Sequence, residues 1–223
     1  SFDAAGTLID VKWDPVQTVL MASQVAGIEI KDPQVAGETY SRMLQSRWGE
    51  FQTLNLQRSR KVCDEFWRQL GEDWMNRIEL PVQKLPELVK AADDYIFGPK
   101  STVFTLFPDS LEILIKLDEI KIPLVMLSNW DVSLHRTCDF LNLSHYFTKV
   151  IASLEEGVEK PDPGLFQVAQ NHLKTAKVLH IGDDPMADVH GARSFGWDAL
   201  LLDRSAEPTE GRISSLTQLF DYL

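Results

Sequence analysis

Polar residues that directly follow short apolar runs most strongly constrain the fold of this chain. The apolar run 122–127 leads into Ser128, and the run 177–181 leads into the acidic segment that contains Asp183. Such runs are typical of buried strands in a parallel sheet. Ligands bind beyond the carboxyl ends of the strands in sheets of this kind. We therefore expect these polar residues, together with Asp3 at the start of the chain, to meet at one edge of a sheet.

Strand and helix patterns alternate from residue 107 to the end of the chain. The pattern predicts strands at 122–127, 150–152, 177–181 and 199–202. It predicts helices at 108–119, 133–143, 163–173, 186–195 and 213–222. The predicted fold class is therefore α/β, a doubly wound parallel sheet whose first strand lies at the start of the chain.

Residues 10–98 follow a different pattern, which is typical of packed helices. Continuous β-branched runs are almost absent there, and apolar residues recur at helical spacing. We therefore expect a helical domain at 11–99, inserted after the first strand into a core domain formed by 1–10 and 100–223. Three tryptophans are expected in the interior of the helical domain: Trp48, Trp67 and Trp74.

Composition and charge limit the partners and the location. The 223 residues carry a formal net charge of −11, which argues against nucleic acid or an anionic membrane as a partner. No apolar run approaches the length of a membrane span. The two cysteines, Cys63 and Cys138, lie far apart, so a reducing cytoplasm is the expected location. Only two residues precede Asp3, fewer than a central strand needs, and we expect the natural protein to begin several residues earlier.

The acidic residues at the predicted sheet edge are suited to phosphoryl transfer with Mg²⁺. Asp3 is the candidate nucleophile and metal ligand, because a carboxylate can form a covalent aspartyl intermediate. Attack of one anion on another needs a cation to offset the repulsion, and this is the role expected of Mg²⁺. Asp183 and Asp188 complete the acidic cluster. Asp184 is a further carboxylate, with favourable placement in a first helical turn as its alternative role.

Hydroxyl, amide and ammonium groups accompany the carboxylates. Ser128 offers a hydroxyl and a backbone N–H at a strand end, and Lys160 precedes a proline-rich turn that begins a helix. The candidate phosphate-binding residues are Thr7, Ser128, Asn129 and Lys160. His180 and His190 flank the acidic loop without a second ligand at metal spacing, and we interpret them as packing or surface residues.

The order of these motifs resembles the haloacid dehalogenase-like hydrolase superfamily over nearly the whole chain. The segment 179–200 resembles the branch related to a rhythmically expressed gene product of flies. The resemblance implies a Rossmann-like core and a small helical cap that closes over the site. It also implies that Asp3, the backbone carbonyl of Ala5 and Asp183 bind Mg²⁺ directly. Asp188 would act through water or a neighbouring ligand, and Asp3, Ser128 and Lys160 would be the catalytic residues.

Ala5 departs from the pattern of this superfamily. Its phosphatases place a second aspartate two residues after the nucleophile, as general acid and base, whereas Ala5 offers only a methyl group. Metal binding would persist, because this position contributes only its carbonyl oxygen, but proton transfer would not. The sequence leaves open whether Ala5 is natural or an engineered substitution, although small apolar residues here also look natural to the branch.

Several kinds of chemistry fit the motifs to different degrees. Metal-free dehalogenases carry an aromatic residue at this position and lack the acidic loop, so the chain fits them poorly. Phosphonate hydrolases carry alanine there but use a cap lysine, and no lysine occurs between Lys31 and Lys61. We predict the third kind, a Mg²⁺-dependent phosphatase-type hydrolase with weakened acid–base chemistry. The rival from another class is a catalytically impaired homologue that binds a phosphometabolite or a protein.

A small phosphorylated molecule is the partner that this prediction implies. We expect a monomer or a weak dimer, and hinges for the helical domain near residues 11–13 and 99–102. Four arginines of the helical domain are candidates to reach the substrate: Arg42, Arg47, Arg58 and Arg60.

Overall fold

The chain forms two compact units in the computed structural model, which describes residues 1–173, 175 and 177–222. The first unit comprises Ser1–Val11 and Thr105–Leu223, and the second comprises Lys12–Phe104. Among the described residues, no helix is long and apolar enough to cross a membrane. Cys63 and Cys138 are both buried and unbridged. The hinges expected near residues 11–13 and 99–102 stay a prediction.

Seven strands are present among the described residues. They are β1 (Ile9–Val11), β2 (Phe104–Leu106), β3 (Val125–Ser128), β4 (Lys149–Ala152), β5 (Leu179–Gly182), β6 (Asp198–Leu202) and β7 (Arg212–Ile213). β1 and β2 form a two-stranded sheet. In the first unit, β3 pairs in parallel with β4, β5 with β6, and β6 with β7.

Phe2 joins the two halves of the sheet in the first unit. It forms parallel bridges to Met126 of β3 and to Ile181 of β5. The order across the sheet is therefore β4, β3, Phe2, β5, β6 and β7, and the chain runs outward from Phe2 in both directions. Asp3 thus follows the point at which the strand order reverses, which is where α/β sheets bind ligands. The predicted α/β fold with a parallel sheet is confirmed.

Helices cover the faces of this sheet. They are α5 (Ser110–Glu119), α6 (Ser133–Phe140), α7 (Ser153–Glu156), α8 (Pro163–Gln170) and α9 (Gly191–Phe195), with 3-10 turns at Ser144–Tyr146 and Leu216–Tyr222 and a π turn at Pro185–His190. Leu165 and Phe166 of α8 are fully buried in one apolar cluster with Leu127 and Ile151 of the sheet. This packing fixes the loops at the carboxyl ends of the strands, where the candidate site lies.

The second unit is helical. Its helices are α1 (Pro15–Val25), α2 (Pro33–Asn55), α3 (Arg60–Arg77) and α4 (Leu85–Phe97), with a 3-10 turn at Val82–Lys84. Asp14 and Asp32 cap α1 and α2 with their carboxylates, and a proline follows each cap. Trp74 is fully buried and donates from its indole N–H to the carbonyl of Ala36, at 2.9 Å. The predicted helical character of this segment is confirmed.

Several local expectations differ from the structure. Trp48 is 38% exposed rather than interior, since it lies on the outer side of the aromatic cluster around Phe51. The helix expected at 213–222 is replaced by β7 and a 3-10 turn, because pairing with β6 satisfies the backbone of Arg212 and Ile213. The helix expected at 186–195 begins as a π turn, and the helix expected at 163–173 ends at Gln170.

Candidate active site

A tight turn after Phe2 places Asp3 at the sheet edge. The Asp3 N–H donates to the carbonyl of Ile181 at 2.9 Å, and the N–H groups of Leu8 and Ile9 both donate to the carbonyl of Ala4. Gly6 has a φ of +73°, and a Cβ at this position would collide with the carboxylate of Asp183. The turn therefore requires glycine, both for its backbone conformation and for the close approach of Asp183.

Ser128 and Lys160 both contact the candidate nucleophile. The Ser128 hydroxyl donates to Oδ1 of Asp3 at 2.9 Å, and Nζ of Lys160 lies 2.5 Å from the same oxygen. All three residues are at most 6% exposed. The three predicted catalytic residues thus lie together, and the two donors fix one oxygen of the Asp3 carboxylate.

Lys160 also contacts Asp188, so the ammonium group bridges two carboxylates. Its Nζ lies 2.5 Å from Oδ1 of Asp188, which His180 Nε2 approaches at 3.1 Å. The backbone N–H of Asp184 donates to the other oxygen of Asp188, at 3.0 Å. These three donors hold Asp188 in a fixed orientation, which suits the indirect role in metal binding that the sequence predicts for it.

Three carboxylates form the group that could hold a metal ion. Ligand oxygens of Asp3, Asp183 and Asp188 all lie within 4.8 Å of one another. The Thr7 hydroxyl donates to Oδ1 of Asp183 at 3.2 Å, and Asp183 is exposed. Thr7, predicted to contact phosphate, thus orients a candidate metal ligand here. Oxygen ligands of this kind, with room for water on the exposed side, fit the preference of Mg²⁺.

Asn129 and Asp184 make contacts other than the predicted ones. The Asn129 side chain donates to the carbonyl of Lys160 at 2.9 Å and accepts from its N–H at 2.8 Å. The amide group of Asn129 therefore positions Lys160, and a phosphate contact stays a prediction. Asp184 accepts hydrogen bonds from the N–H groups of Met186 and Ala187, which makes it a helix cap rather than a member of the metal-binding group.

Burial and mutual repulsion shift the pKa values of the site. Burial raises the pKa of Asp3 to about 6, and the charge of Asp188 adds to this effect against the opposing ammonium of Lys160. Although Asp183 is exposed as a residue, partial burial of its carboxyl group raises its pKa, and the charge of Asp188 adds to this effect. Burial would raise the pKa of Asp188 as well, but hydrogen bonding to His180 and the charge of Lys160 hold it well below its usual range. Burial and the charge of Asp188 thus disfavour the ionised form of both Asp3 and Asp183, and a cation beside these two carboxylates would stabilise that form.

His180 is a site neighbour that the sequence analysis missed. It is fully buried, and burial lowers its pKa to about 4, so the ring is neutral. Because a carboxylate only accepts, Nε2–H donates to Asp188, and Nδ1 then accepts from the Ser1 hydroxyl at 2.8 Å. The sequence does contain a signal for this role. His180 is a polar residue inside the apolar strand β5, two residues before the acidic loop.

Arg42, Arg47 and Arg60, three of the candidate arginines, contact side chains of the helical unit. Arg47 forms ion pairs with Glu50 at 2.8 Å and Asp73 at 3.0 Å. Arg60 pairs with Asp64 at 3.2 Å, and Arg42 donates to the Thr39 hydroxyl at 3.4 Å. Arg58 has a left-handed backbone with φ 51° at the α2–α3 connection. Contact of these residues with a substrate stays a prediction.

Comparisons with known proteins agree with this architecture. A family model described as haloacid dehalogenase-like hydrolase matches residues 1–196. A phosphoserine phosphatase from Thermus thermophilus is 26% identical over 174 residues, which make up 77% of this chain and 68% of that enzyme. The rhythmically expressed gene 2 protein of Drosophila melanogaster is 36% identical over 87 residues, which are 37% of this chain and only 34% of that protein. A solved 2-haloacid dehalogenase from Pseudomonas syringae pv. Tomato DC3000 shares the fold, with a TM-score of 0.65 at 20% identity, over 99% of this chain and 95% of that one.

Proposed function

The chain belongs to the haloacid dehalogenase-like hydrolase family, and from that premise we propose that it hydrolyses a small phosphorylated metabolite through Asp3. The buried group of Asp3, Ser128 and Lys160 carries the proposal. A carboxylate that faces a phosphate ester repels it, so Asp3 favours this site only as a nucleophile or as a metal ligand. Carboxylates are among the side chains that form covalent intermediates, and Ser128 and Lys160 fix Asp3 for this role. The phosphatase relative from Thermus thermophilus supports the phosphate-ester class.

Asp3 would attack with its second carboxylate oxygen. Oδ1 is held by Ser128 and Lys160, so the hydrogen-bond pattern favours Oδ2 as the attacking atom. A bond forms between Oδ2 and phosphorus while the bond from phosphorus to the leaving oxygen breaks, and the electron pair departs with that oxygen. Water then attacks the phosphorus of the aspartyl phosphate. Phosphate and the free Asp3 carboxylate result, and a proton of the water is released.

Lys160 and Ser128 would keep Asp3 in place during both steps. The ammonium group lies between two carboxylates and is almost fully buried, so it has little freedom to move. Its positive charge offsets negative charge that collects when a phosphate approaches Asp3. Asn129 supports this arrangement by holding both the N–H and the carbonyl of Lys160.

Asp3, Asp183 and the backbone carbonyl of Ala5 would hold Mg²⁺. The fit rests on the closeness of the carboxylate oxygens. It is supported by the charge of Asp188, which adds to burial in raising the pKa values of Asp3 and Asp183 and which a cation would offset. When bound, Mg²⁺ supplies positive charge to the phosphoryl oxygens. Asp188 would take part indirectly, because Lys160, His180 and the Asp184 N–H already hold its oxygens.

Ala5 would determine which phosphate esters react quickly. A well-placed general acid contributes roughly 10²- to 10⁴-fold to rate, and a methyl group cannot supply it. Alkyl and sugar esters have to protonate their leaving oxygen, whereas aryl and acyl phosphates release stable anions. We therefore propose measurable turnover of aryl or acyl phosphates and slow turnover of alkyl phosphates.

A hydrolysis screen tests the proposal. The full chain is assayed against a panel of aryl, acyl, sugar and alkyl phosphates, with and without Mg²⁺, together with a 2-haloacid and a phosphonate. We expect Mg²⁺-dependent phosphate release from the aryl and acyl esters, and none from Asp3→Asn. Release that persists in Asp3→Asn, or halide release in place of phosphate release, would show that the assignment is wrong.

A further inference from the structure

We infer that Arg204 is a positioning residue that fixes the loop after Asp3 by binding the backbone carbonyl of Thr7. The inference rests on the proposed function, because that loop carries the proposed nucleophile. Arg204 follows β6 and lies beyond the residues 1–196 that the family model matches. It belongs to the same compact unit as Asp3.

Thr7 connects Arg204 to the candidate metal ligand. Nη2 of Arg204 donates to the carbonyl oxygen of Thr7 at 2.9 Å. The hydroxyl of the same threonine donates to Oδ1 of Asp183 at 3.2 Å. Thr7 is fully buried, so displacement of its backbone moves its hydroxyl relative to Asp183. Thr7 thus contacts both the guanidinium group of Arg204 and the carboxylate of Asp183, so the positions of these two groups are linked through it.

Arg204 is itself held on two further sides. Nη1 donates to Oδ2 of Asp109 at 2.9 Å, and the guanidinium carbon lies 4.2 Å from the centre of the Phe107 ring. The Ser215 hydroxyl and the Leu216 N–H also donate to Oδ2 of Asp109, each at 2.9 Å. The planar fork of arginine can therefore serve Asp109 and the Thr7 carbonyl at the same time in a fixed geometry, which a lysine cannot do.

The neighbouring carbonyl of the loop is held from the same side. Leu8 accepts from the N–H of Phe107 at 3.2 Å and from the hydroxyl of Ser110 at 2.8 Å. Two successive carbonyls, those of Thr7 and Leu8, are thus bound by groups outside the loop. The loop has little room to shift, because Gly6 already touches Asp183 so closely that no Cβ fits. The hydrogen bond from Arg204 restricts the movement of the backbone that remains possible at Thr7.

Arg212 provides a matched control in the same part of the chain. Its Nη2 also donates to a backbone carbonyl, that of Glu207 at 3.0 Å, but this carbonyl lies outside the loop after Asp3. Both Arg204 and Arg212 bury an Nε that has no hydrogen-bond partner among the described residues. Arg204→Met and Arg212→Met therefore remove similar groups, and only Arg204→Met releases the Thr7 carbonyl.

Amide hydrogen exchange on the metal-free full chain decides between positioning and general stabilisation. The reporters are the N–H groups of Leu8 and Ile9, which donate to Ala4, with the amides of β4 as the remote reference. In Arg204→Met we expect exchange of the loop amides to rise by about 10-fold, with β4 changed by less than about 2-fold. Arg212→Met should leave the loop amides within about 2-fold of the unmodified chain. An equal rise at β4 and the loop, or no rise at the loop, would overturn the inference.

Mg²⁺ affinity, measured by calorimetry, gives the functional consequence. Loss of one hydrogen bond that positions Thr7 is expected to weaken Mg²⁺ binding by about 3- to 10-fold in Arg204→Met. Arg204→Lys keeps a positive charge beside Asp109, so its Mg²⁺ affinity should lie between those of Arg204→Met and the unmodified chain. This variant replaces Arg204→Met in the test if Arg204→Met does not fold. Equal affinity in all three proteins would overturn the inference. Absence of Mg²⁺ binding in the unmodified chain would count against the proposed function instead, and hydrogen exchange would still decide the role of Arg204.

Discussion

Replacement of the candidate nucleophile is expected to stabilise the metal-free protein at neutral pH. Burial and the charge of Asp188 raise the pKa of Asp3 from 3.8 to about 6. A carboxyl group with a raised folded-state pKa favours the folded state when protonated, and this contribution is lost as pH rises from 3.8 to about 6. At about 1.4 kcal/mol per pKa unit, ionisation of Asp3 costs the folded state about 3 kcal/mol above that range.

Asp3→Asn removes this cost while keeping the shape of the side chain. An asparagine oxygen can still accept from Ser128 and Lys160, as Oδ1 of Asp3 does. The gain in unfolding free energy should therefore be close to zero at pH 4, about half of its full size near pH 5, and about 3 kcal/mol above pH 7. Activity should be lost at every pH, which makes Asp3 a residue that serves function at the expense of stability.

Urea denaturation in the presence of EDTA, from pH 4 to pH 8, measures this difference. Asp162→Asn is the matched control, because Asp162 is an exposed helix cap that accepts from the Gly164 N–H, and asparagine caps helices about equally well. The control should change the unfolding free energy at pH 7.5 by only a few tenths of a kcal/mol. A loss of stability in Asp3→Asn at pH 7.5, or a gain that does not depend on pH, would refute the reasoning about burial.

Three further substitutions test other parts of the site. Lys160→Met leaves two buried carboxylates without their shared cation and should destabilise the protein by about 3–5 kcal/mol at pH 7 in urea titrations, and an unchanged midpoint would contradict this. Asp183→Asn should abolish the rise in melting temperature that millimolar Mg²⁺ gives the unmodified protein, and a retained rise would remove Asp183 from the metal site. Ala5→Asp should increase the turnover of alkyl phosphates by up to about 10²- to 10⁴-fold, whereas no change would mean that another residue supplies the proton.

The sequence predicted the parts of the fold that depend on local patterns. Strand ends were located correctly because apolar runs and polar residues alternate sharply, as at Ser128. The helical character of residues 11–99 was predictable because apolar residues recur there at helical spacing. β7 was missed because Arg212 and Ile213 gain their strand conformation from pairing with β6, a contact that residue order does not reveal.

The sequence was enough to predict which residues belong to the candidate site, but not which contacts they make. Asp3, Ser128 and Lys160 stand out as polar groups at strand ends, and the structure brings them within hydrogen-bond distance. The contributions of His180 and Arg204 depend on contacts over 8 and 197 residues of sequence, which a local pattern does not contain. Asp184 shows the opposite case, since the sequence already offered a place at the start of a helix as its alternative role, and there the structure makes it a cap.

Capture of the covalent intermediate tests the proposed reaction most directly. The chain is mixed with an aryl phosphate and Mg²⁺, quenched in acid within the first turnover, and digested for mass spectrometry. Because Ala5 offers no base to activate water, the aspartyl phosphate should accumulate, and the peptide that contains Asp3 should gain the mass of one phosphoryl group. The adduct should be absent without Mg²⁺ and absent in Asp3→Asn. Phosphate release without any adduct on Asp3, or an adduct on another residue, would contradict the account.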